Sequence, residues 1–340
     1  MKNEYLKSRY QEIIKMSDKL VDTRDLKILY ELSKNARIPS SKLAKKIRTS
    51  KQVVDYRIKK LIEKGIISRF ILRVNTSLLG FSEYVMLLQF QKMSRQKEGD
   101  LIEDFKKRPY INWVASCGGN IDMIIELFAR NNQKLSDIIS EIKSVCGEYL
   151  KSFELLTNIS TCNFFSLKYL SEGKVKYEVI DKERSDKTVE IDNIDKEVLR
   201  ILNKRPRISF TDAAKKLRLS VNTVKYRINN LKKKNIIIHP SVIIDTSKLN
   251  YQWYLVFLDV QPLGKKEEKM LETYAMLHPN IDYYYKGIGR WNIHFSIRAK
   301  NMQEFHEILR DIRNRFYNII RSFETLIVFK EHNYSSVPFD

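Results

Sequence analysis

The stretch Ser50-Lys51-Gln52-Val53-Val54-Asp55-Tyr56-Arg57-Ile58-Lys59-Lys60-Leu61 is answered 170 residues on by Ser220-Val221-Asn222-Thr223-Val224-Lys225-Tyr226-Arg227-Ile228-Asn229-Asn230-Leu231. Each opens on a serine suited to a helix N-cap. Apolar residues follow at i, i+4 and i+7: Val54, Ile58 and Leu61 in one stretch, Val224, Ile228 and Leu231 in the other. At ~100° per residue the opposite face presents Gln52, Tyr56 and Lys59, or Asn222, Tyr226 and Asn229, with Asp55 and Lys225 on the flank. Lys64-Gly65 and Lys234-Asn235 then offer a residue that takes the left-handed conformation ending a helix. Each stretch therefore predicts an amphipathic helix whose outer face is built from hydrogen-bonding groups.

Two shorter helical patterns precede it. Ile28, Leu29 and Leu32 form one stripe, matched by Val198, Leu199 and Leu202; Leu43, Ala44 and Ile47 form the next, matched by Ala213, Ala214 and Leu217. Ala44 and Ala214 sit where two helices would have to approach closely. An apolar, β-branched run follows the third helix, Ile66-Ile67 then Phe70-Ile71-Leu72, or Ile236-Ile237-Ile238 then Val242-Ile243-Ile244. It reads as a strand or small wing. The whole predicts a winged helix-turn-helix, present twice.

The repeat extends well past these helices. Pro109 matches Pro279, Gly119 matches Gly289, and Ser152-Phe153-Glu154 matches Ser322-Phe323-Glu324, all at the same offset. A period this long is domain-sized, so the chain reads as an internal pseudo-dimer rather than a solenoid. The remainder of each copy alternates strand and helix patterns in the order β-α-β-β-α-β, the ferredoxin-like split βαβ arrangement. The expected fold class is α+β, with two copies of a winged helix-turn-helix plus a βαββαβ domain and the sheet domains paired within the chain. The expected boundaries are an N-terminal helical extension over 1–20, winged helices over 21–75 and 191–245, sheet domains over 76–170 and 246–340, and a linker over 171–190. Within the linker, Lys174 to Val179 could add a short strand.

Composition narrows the function. The net charge of the 340 residues is +21, which suits either a lysine-rich solvated surface or a polyanion partner. Cys117, Cys146 and Cys162 lack the spacing of a disulfide framework or zinc ribbon, and all five histidines fall in the second copy. A metal site common to both copies therefore cannot use histidine, and no metal or cofactor is expected. No run approaches the ~20 apolar residues of a membrane span. A cytoplasmic protein without a membrane partner is expected.

Three signatures per copy make the chain resemble the Lrp/AsnC family of leucine-responsive or feast/famine transcription regulators. They are Val21-Asp22-x-x-Asp25 and Ile191-Asp192-x-x-Asp195, the helix-turn-helix cores from Leu43 to Leu61 and Ala214 to Leu231, and Gly119-Asn120-Ile121-Asp122. The resemblance implies a DNA-binding domain joined to a βαββαβ domain of the RAM or ACT-like kind that pairs sheet to sheet, often in larger rings. It also implies an effector site, often for an amino acid, at the turn holding Gly119 and Asp122, or Gly289 and Asn292. In the second copy the carboxylate is lost and Arg290-Trp291 replaces Asn120-Ile121, which weakens the case for amino-acid sensing there. Gly118-Gly119 reads equally as a plain tight hairpin turn.

The expected partner is double-stranded DNA. A recognition helix enters the major groove with its N-terminal residues against base edges. Gln52 and Asn222 suit bidentate bonds to adenine, and Lys51, Lys59 and Lys225 suit guanine acceptors or phosphates. Arg57 and Arg227 contact phosphate or hold the domain together; Arg69 and Arg73 on the wing could add phosphate contacts. Ser50, Asp55, Tyr56, Ser220, Thr223, Tyr226 and Asn229 complete the expected contact set. The copies differ at Lys51/Val221, Asp55/Lys225 and Lys59/Asn229, so unlike half-sites are expected. Three alternatives remain: a nonspecific architectural DNA coat, a protein-interaction module, and a tetrapyrrole (siroheme) decarboxylase of the kind found in a branch resembling this family. The polar face argues against the interaction module. Decarboxylation would need His, Arg or Tyr poised in the sheet domain, and His294 and Tyr283-Tyr284-Tyr285 read as core or interface residues.

Overall fold

The computed structural model describes residues 21–163, 180–182 and 187–339. The expected N-terminal extension and the candidate strand at Lys174 to Val179 lie outside the described residues, as does most of the linker. The first copy begins with α1 (Thr23–Lys34), α2 (Ser40–Ile47) and α3 (Lys51–Glu63), followed by strand β1 (Ile67–Val74). The second begins with α6 (Asn193–Lys204), α7 (Phe210–Leu217), α8 (Val221–Lys233) and β7 (Ile237–Ile244). Ser50 Oγ accepts from the Val53 N–H at 3.2 Å and Ser220 Oγ from the Thr223 N–H at 3.0 Å, so both serines cap their helices. Gly65 and Asn235, at φ +70° and +57°, end them.

The strand after each helix-turn-helix pairs with its counterpart in the other copy. β1 and β7 form an antiparallel two-stranded ribbon, Ile67 opposite Ile244 and Val74 opposite Ile237. The cores are exchanged accordingly. Val242 and Ile244 pack against Ile28, Leu43, Val54 and Ile58 of the first unit. Leu72 and Val74 pack against Val198, Leu199, Val224 and Ile228 of the second. Each three-helix unit keeps only the start of its own strand, Ile67 or Ile237, in its core and completes that core with the strand of the other copy.

The sheet segments are β2 (Ser82–Phe90), α4 (Arg95–Lys106), β3 (Ile111–Gly118), β4 (Met123–Ala129), α5 (Asn132–Cys146) and β5 (Leu150–Asn163), with the short β6 (Ile180–Lys182) on the edge of β5. The second copy supplies β8 (Gln252–Val260), α9 (Lys265–Leu277), β9 (Ile281–Ile288), β10 (Ile293–Ala299), α10 (Met302–Arg315) and β11 (Ile320–Tyr334). Their order is β2-β4-β3-β11-β8-β10-β9-β5, and β5 also pairs with β2, so the strands close into a ring. Two long strands make the closure. β5 pairs with β2 through its first half and with β9 through its second; β11 does the same with β8 and β3. Helices cover the outside and residues of the opposing walls, Leu87 and Leu326 among them, cluster inside, so β2 is apolar on both faces, with Tyr84 to Leu88 all buried.

Candidate nucleic-acid interface and inner chamber

Both recognition-helix faces are open. Tyr56 is 59% and Tyr226 67% exposed, too much for core residues. Lys51, Gln52, Asp55 and Lys59 share the first face; Asn222, Lys225 and Asn229 share the second, with Thr223 half-buried beside its cap. Lys51 and Lys59 make only loose contacts, at 3.9 Å to Asp55 and 3.7 Å to Glu63. Asp55 also borders a shallow groove with Arg207 of the other unit, and Arg207 feels its charge. The seam is closed by Arg37, whose Nη1 donates to the Pro206 carbonyl at 3.0 Å and whose guanidinium lies 4.8 Å from the Phe210 ring centre.

Arg57 and Arg227 find their partners inside the chain. Arg57 Nη1 donates at 2.8 Å to both Asp22 Oδ2 and Asp25 Oδ1, tying the third helix to the first. Arg227 repeats this with Asp192 and with Asp195 at 3.3 Å. Asp22 also caps α1, accepting from the Arg24 and Asp25 N–H groups. Burial raises the Asp22 pKa, but the Asp25 N–H and the Arg57 guanidinium outweigh it and hold the carboxyl below its ordinary range. Of the two roles open to these arginines, the geometry supplies partners for the domain-holding one. Sequence reasoning missed Arg48 and Arg218. Each occupies the turn before the third helix at φ +56° and +55°, with an exposed side chain. The left-handed conformation costs an L-residue ~1–2 kcal/mol, and the signal was a basic residue where glycine would be easier.

The glycine turns of the sheet domains sit at the contact between copies. Gly119, at φ +121°, lies against Thr325 and Leu326; Gly289, at φ +141°, lies against Leu155 and Leu156. Asn120 donates to Glu324 at 3.1 Å and Arg290 to Glu154 at 2.9 Å, a pair of equivalent cross-copy bonds. Asp122 Oδ2 accepts the Phe90 N–H at 2.7 Å, and Asn292 Oδ1 accepts the equivalent Val260 N–H at 2.9 Å. Asp122 and Asn292 thus do the same backbone-stapling job, one that an amide performs as well as a carboxylate.

Arg69 and Arg73 correct the expectation of wing phosphate contacts. The β1–β7 ribbon lies over the end of the barrel, so these two side chains point inward instead of at solvent. Arg69 is ion-paired with Glu331. Arg73 is only 6% exposed and donates to the Tyr283 hydroxyl at 2.7 Å, its guanidinium within 6.0 Å of the Tyr283 and Tyr334 ring centres. They border a chamber of about 710 Å³ between the ribbon and the barrel interior. Tyr284 packs in the core as expected, whereas Tyr283, Tyr285 and His294 are a second correction, since they line that chamber. His294 stacks 4.1 Å from Tyr285 and lies 5.0 Å from Phe257, and burial pushes its pKa down to about 3. Among the described residues, no group of His, Cys, Asp and Glu could hold a metal ion, and no helix is long and apolar enough to cross a membrane.

Two three-helix units with polar third helices, joined through a strand ribbon to paired βαββαβ sheets, define a helix-turn-helix DNA-binding protein. A winged helix-turn-helix DNA-binding family matches residues 21–68 and again 191–238. The chain is 33% identical to the HTH-type transcriptional regulator LrpA of Pyrococcus horikoshii over 121 residues, 36% of this chain and 84% of that protein. It is 30% identical to the regulator LysM of Saccharolobus solfataricus over 132 residues, 39% of this chain and 90% of that one. It is 28% identical to the regulatory protein AsnC of Haemophilus influenzae over 137 residues, 40% and 90% of the two chains. The chain belongs to the Lrp/AsnC family of transcription regulators, in tandem-duplicated form. Across both copies the fold is similar to that of the siroheme decarboxylase NirDL, with a TM-score of 0.61, 16% identity, and 93% and 94% of the two chains covered. At that identity the likeness speaks to fold alone.

Proposed function

We propose that the two third helices read unlike half-sites of one asymmetric operator, with the β1–β7 ribbon fixing their separation. The observation that carries this is the pair of open, equivalently placed but chemically different faces: Lys51, Gln52, Asp55, Tyr56 and Lys59 against Asn222, Lys225, Tyr226 and Asn229. A homodimer presents identical helices and reads a palindrome; a duplicated chain is released from that symmetry. The protein acts in the cytoplasm by binding, without turning over a substrate. The chamber does bring His294, Tyr283, Tyr285, Arg73 and Arg298 together, the residue types siroheme decarboxylation would need, so that alternative is tested directly alongside DNA binding.

The test is selection of the purified protein on a random duplex library at two salt concentrations. A two-part, asymmetric consensus that survives ~200 mM salt is expected. A perfect inverted repeat refutes the unlike half-sites; salt-labile binding without a consensus identifies a phosphate-driven coat. Gln52→Ala and Asn222→Ala should relax preference in different half-sites, each by ~1–3 kcal/mol. If both blur the same bases, one helix per half-site is wrong. Incubation with siroheme, followed by mass spectrometry, should yield no decarboxylated product.

A further inference from the structure

We infer that the chamber beneath the ribbon is a binding site for one planar aromatic acid per chain, larger than a free amino acid, with its acidic group on Arg73. Three observations carry this. The first is an unmatched cation. Arg73 is nine-tenths buried, its Nε has no partner, and its one hydrogen-bond acceptor is the neutral Tyr283 hydroxyl. The carboxylates around the chamber already have donors. Asp282 accepts from Arg298 and Ser296, Glu331 from Arg69 and Trp113, Glu126 from Asn112, and Glu83 from Thr76 and Asn158. Asn112, 5% exposed, adds an acceptor oxygen with no partner. A buried guanidinium with no carboxylate in hydrogen-bond contact is costly, and a ligand carboxylate or sulfonate reduces that cost with a charge-assisted hydrogen bond.

The second observation is the wall. Trp113 and Trp253, with ring centres 5.6 Å apart and Arg298 over the Trp253 ring, line the chamber together with Tyr285, Phe257 and His294. Flat aromatic walls select flat aromatic ligands through offset stacking. The third is size. At ~30 Å³ for each water-sized unit, the volume of about 710 Å³ holds roughly two dozen non-hydrogen atoms, and an aliphatic amino acid leaves more than half of it unfilled. The site occurs once per chain. The residues equivalent to Arg73, Tyr285, His294 and Arg298 are Ile243, Ala115, Ile124 and Phe128, which cannot repeat it. This inference uses neither recognition helix and is independent of the DNA-binding reading.

The test compares two fluorescent probes that differ by one acidic group, 8-anilinonaphthalene-1-sulfonate and N-phenyl-1-naphthylamine, titrated into the full chain. The sulfonate should bind at one site per chain about ten-fold more tightly than the neutral probe. Arg73→Met should bring the two affinities together, Arg73→Lys should restore most of the difference, and Arg95→Met on the outer surface should leave it unchanged. Ten-millimolar leucine or methionine should not displace the sulfonate. Equal affinities in the unmodified protein overturn the site, and so does binding at several weak sites. A preference that persists in Arg73→Met, or displacement by free amino acids, also overturns it. Should Arg73→Met fail to fold, the ratio in the unmodified chain and in Arg73→Lys still decides the matter.

Discussion

Replacing Arg57 by methionine removes the guanidinium and keeps most of the packed stem. Its bond to Asp22 involves a half-exposed carboxylate, so solvent screening leaves that arm at ~0.5 kcal/mol. Asp25 is different, with a side chain 15% exposed. It retains the Asp22 N–H at 3.1 Å but loses its charged donor. A hydrogen bond to a charged group is worth ~1.5–3 kcal/mol, and partial exposure puts this one at the lower end. The expected loss is therefore about 2 kcal/mol at neutral pH, read as a lower urea midpoint with an unchanged slope.

Acid supplies an independent check on the same clamp. A carboxyl whose folded pKa is depressed, as that of Asp22 is, contributes stability above its unfolded pKa and loses it as pH falls through the folded one. The native protein should accordingly lose stability below about pH 4, and Arg57→Met should lose less over the same window. DNA binding separates this role from phosphate contact. A clamp leaves the salt slope of folded Arg57→Met unchanged, whereas a lost phosphate contact reduces it by about 0.9. Native stability combined with a reduced slope would refute the clamp.

Arg48→Gly and Arg218→Gly relieve a left-handed arginine, so stability should stay within ~1 kcal/mol while DNA affinity falls, as checked by paired urea and fluorescence-anisotropy titrations. Asp122→Asn should be tolerated to within ~0.5 kcal/mol, because Asn292 already performs the equivalent backbone bond; Asp122→Ala should cost ~1–2 kcal/mol by leaving the Phe90 N–H unpaired. A large loss in Asp122→Asn would mean the charge itself is needed. Gly289→Ala places a Cβ 2.7 Å from Leu156 Cδ2 and 3.2 Å from the Leu155 carbonyl, at a positive φ. It should lower thermal stability by ~2–3 kcal/mol, and an unchanged melting temperature would show that the two copies are not held together at that turn.

The helix faces were legible because their determinants are local: a serine cap, a 3.6-residue apolar stripe and a left-handed terminator all fall within 16 residues, Ser50 to Gly65. The chamber was not, because strand exchange brings together residues that lie far apart in the chain. Arg73 meets Tyr283 and Arg69 meets Glu331, and β1 read alone gives each arginine the look of a solvent-facing wing residue. The glycine turn misled in another way, since a Gly-x-x-Asp pattern does not reveal that its carboxylate is occupied by the chain's own Phe90 N–H. A usable signal was nonetheless present in the duplication. Equivalent positions that merely fill a core stay apolar in both copies, as Val54 and Val224 or Leu72 and Val242 do. Arg73 against Ile243 and Arg298 against Phe128 break that rule at positions the fold buries. An arginine buried opposite an apolar counterpart is costly unless something compensates its charge. Within a duplicated chain, such mismatches mark where one copy has left the shared packing role.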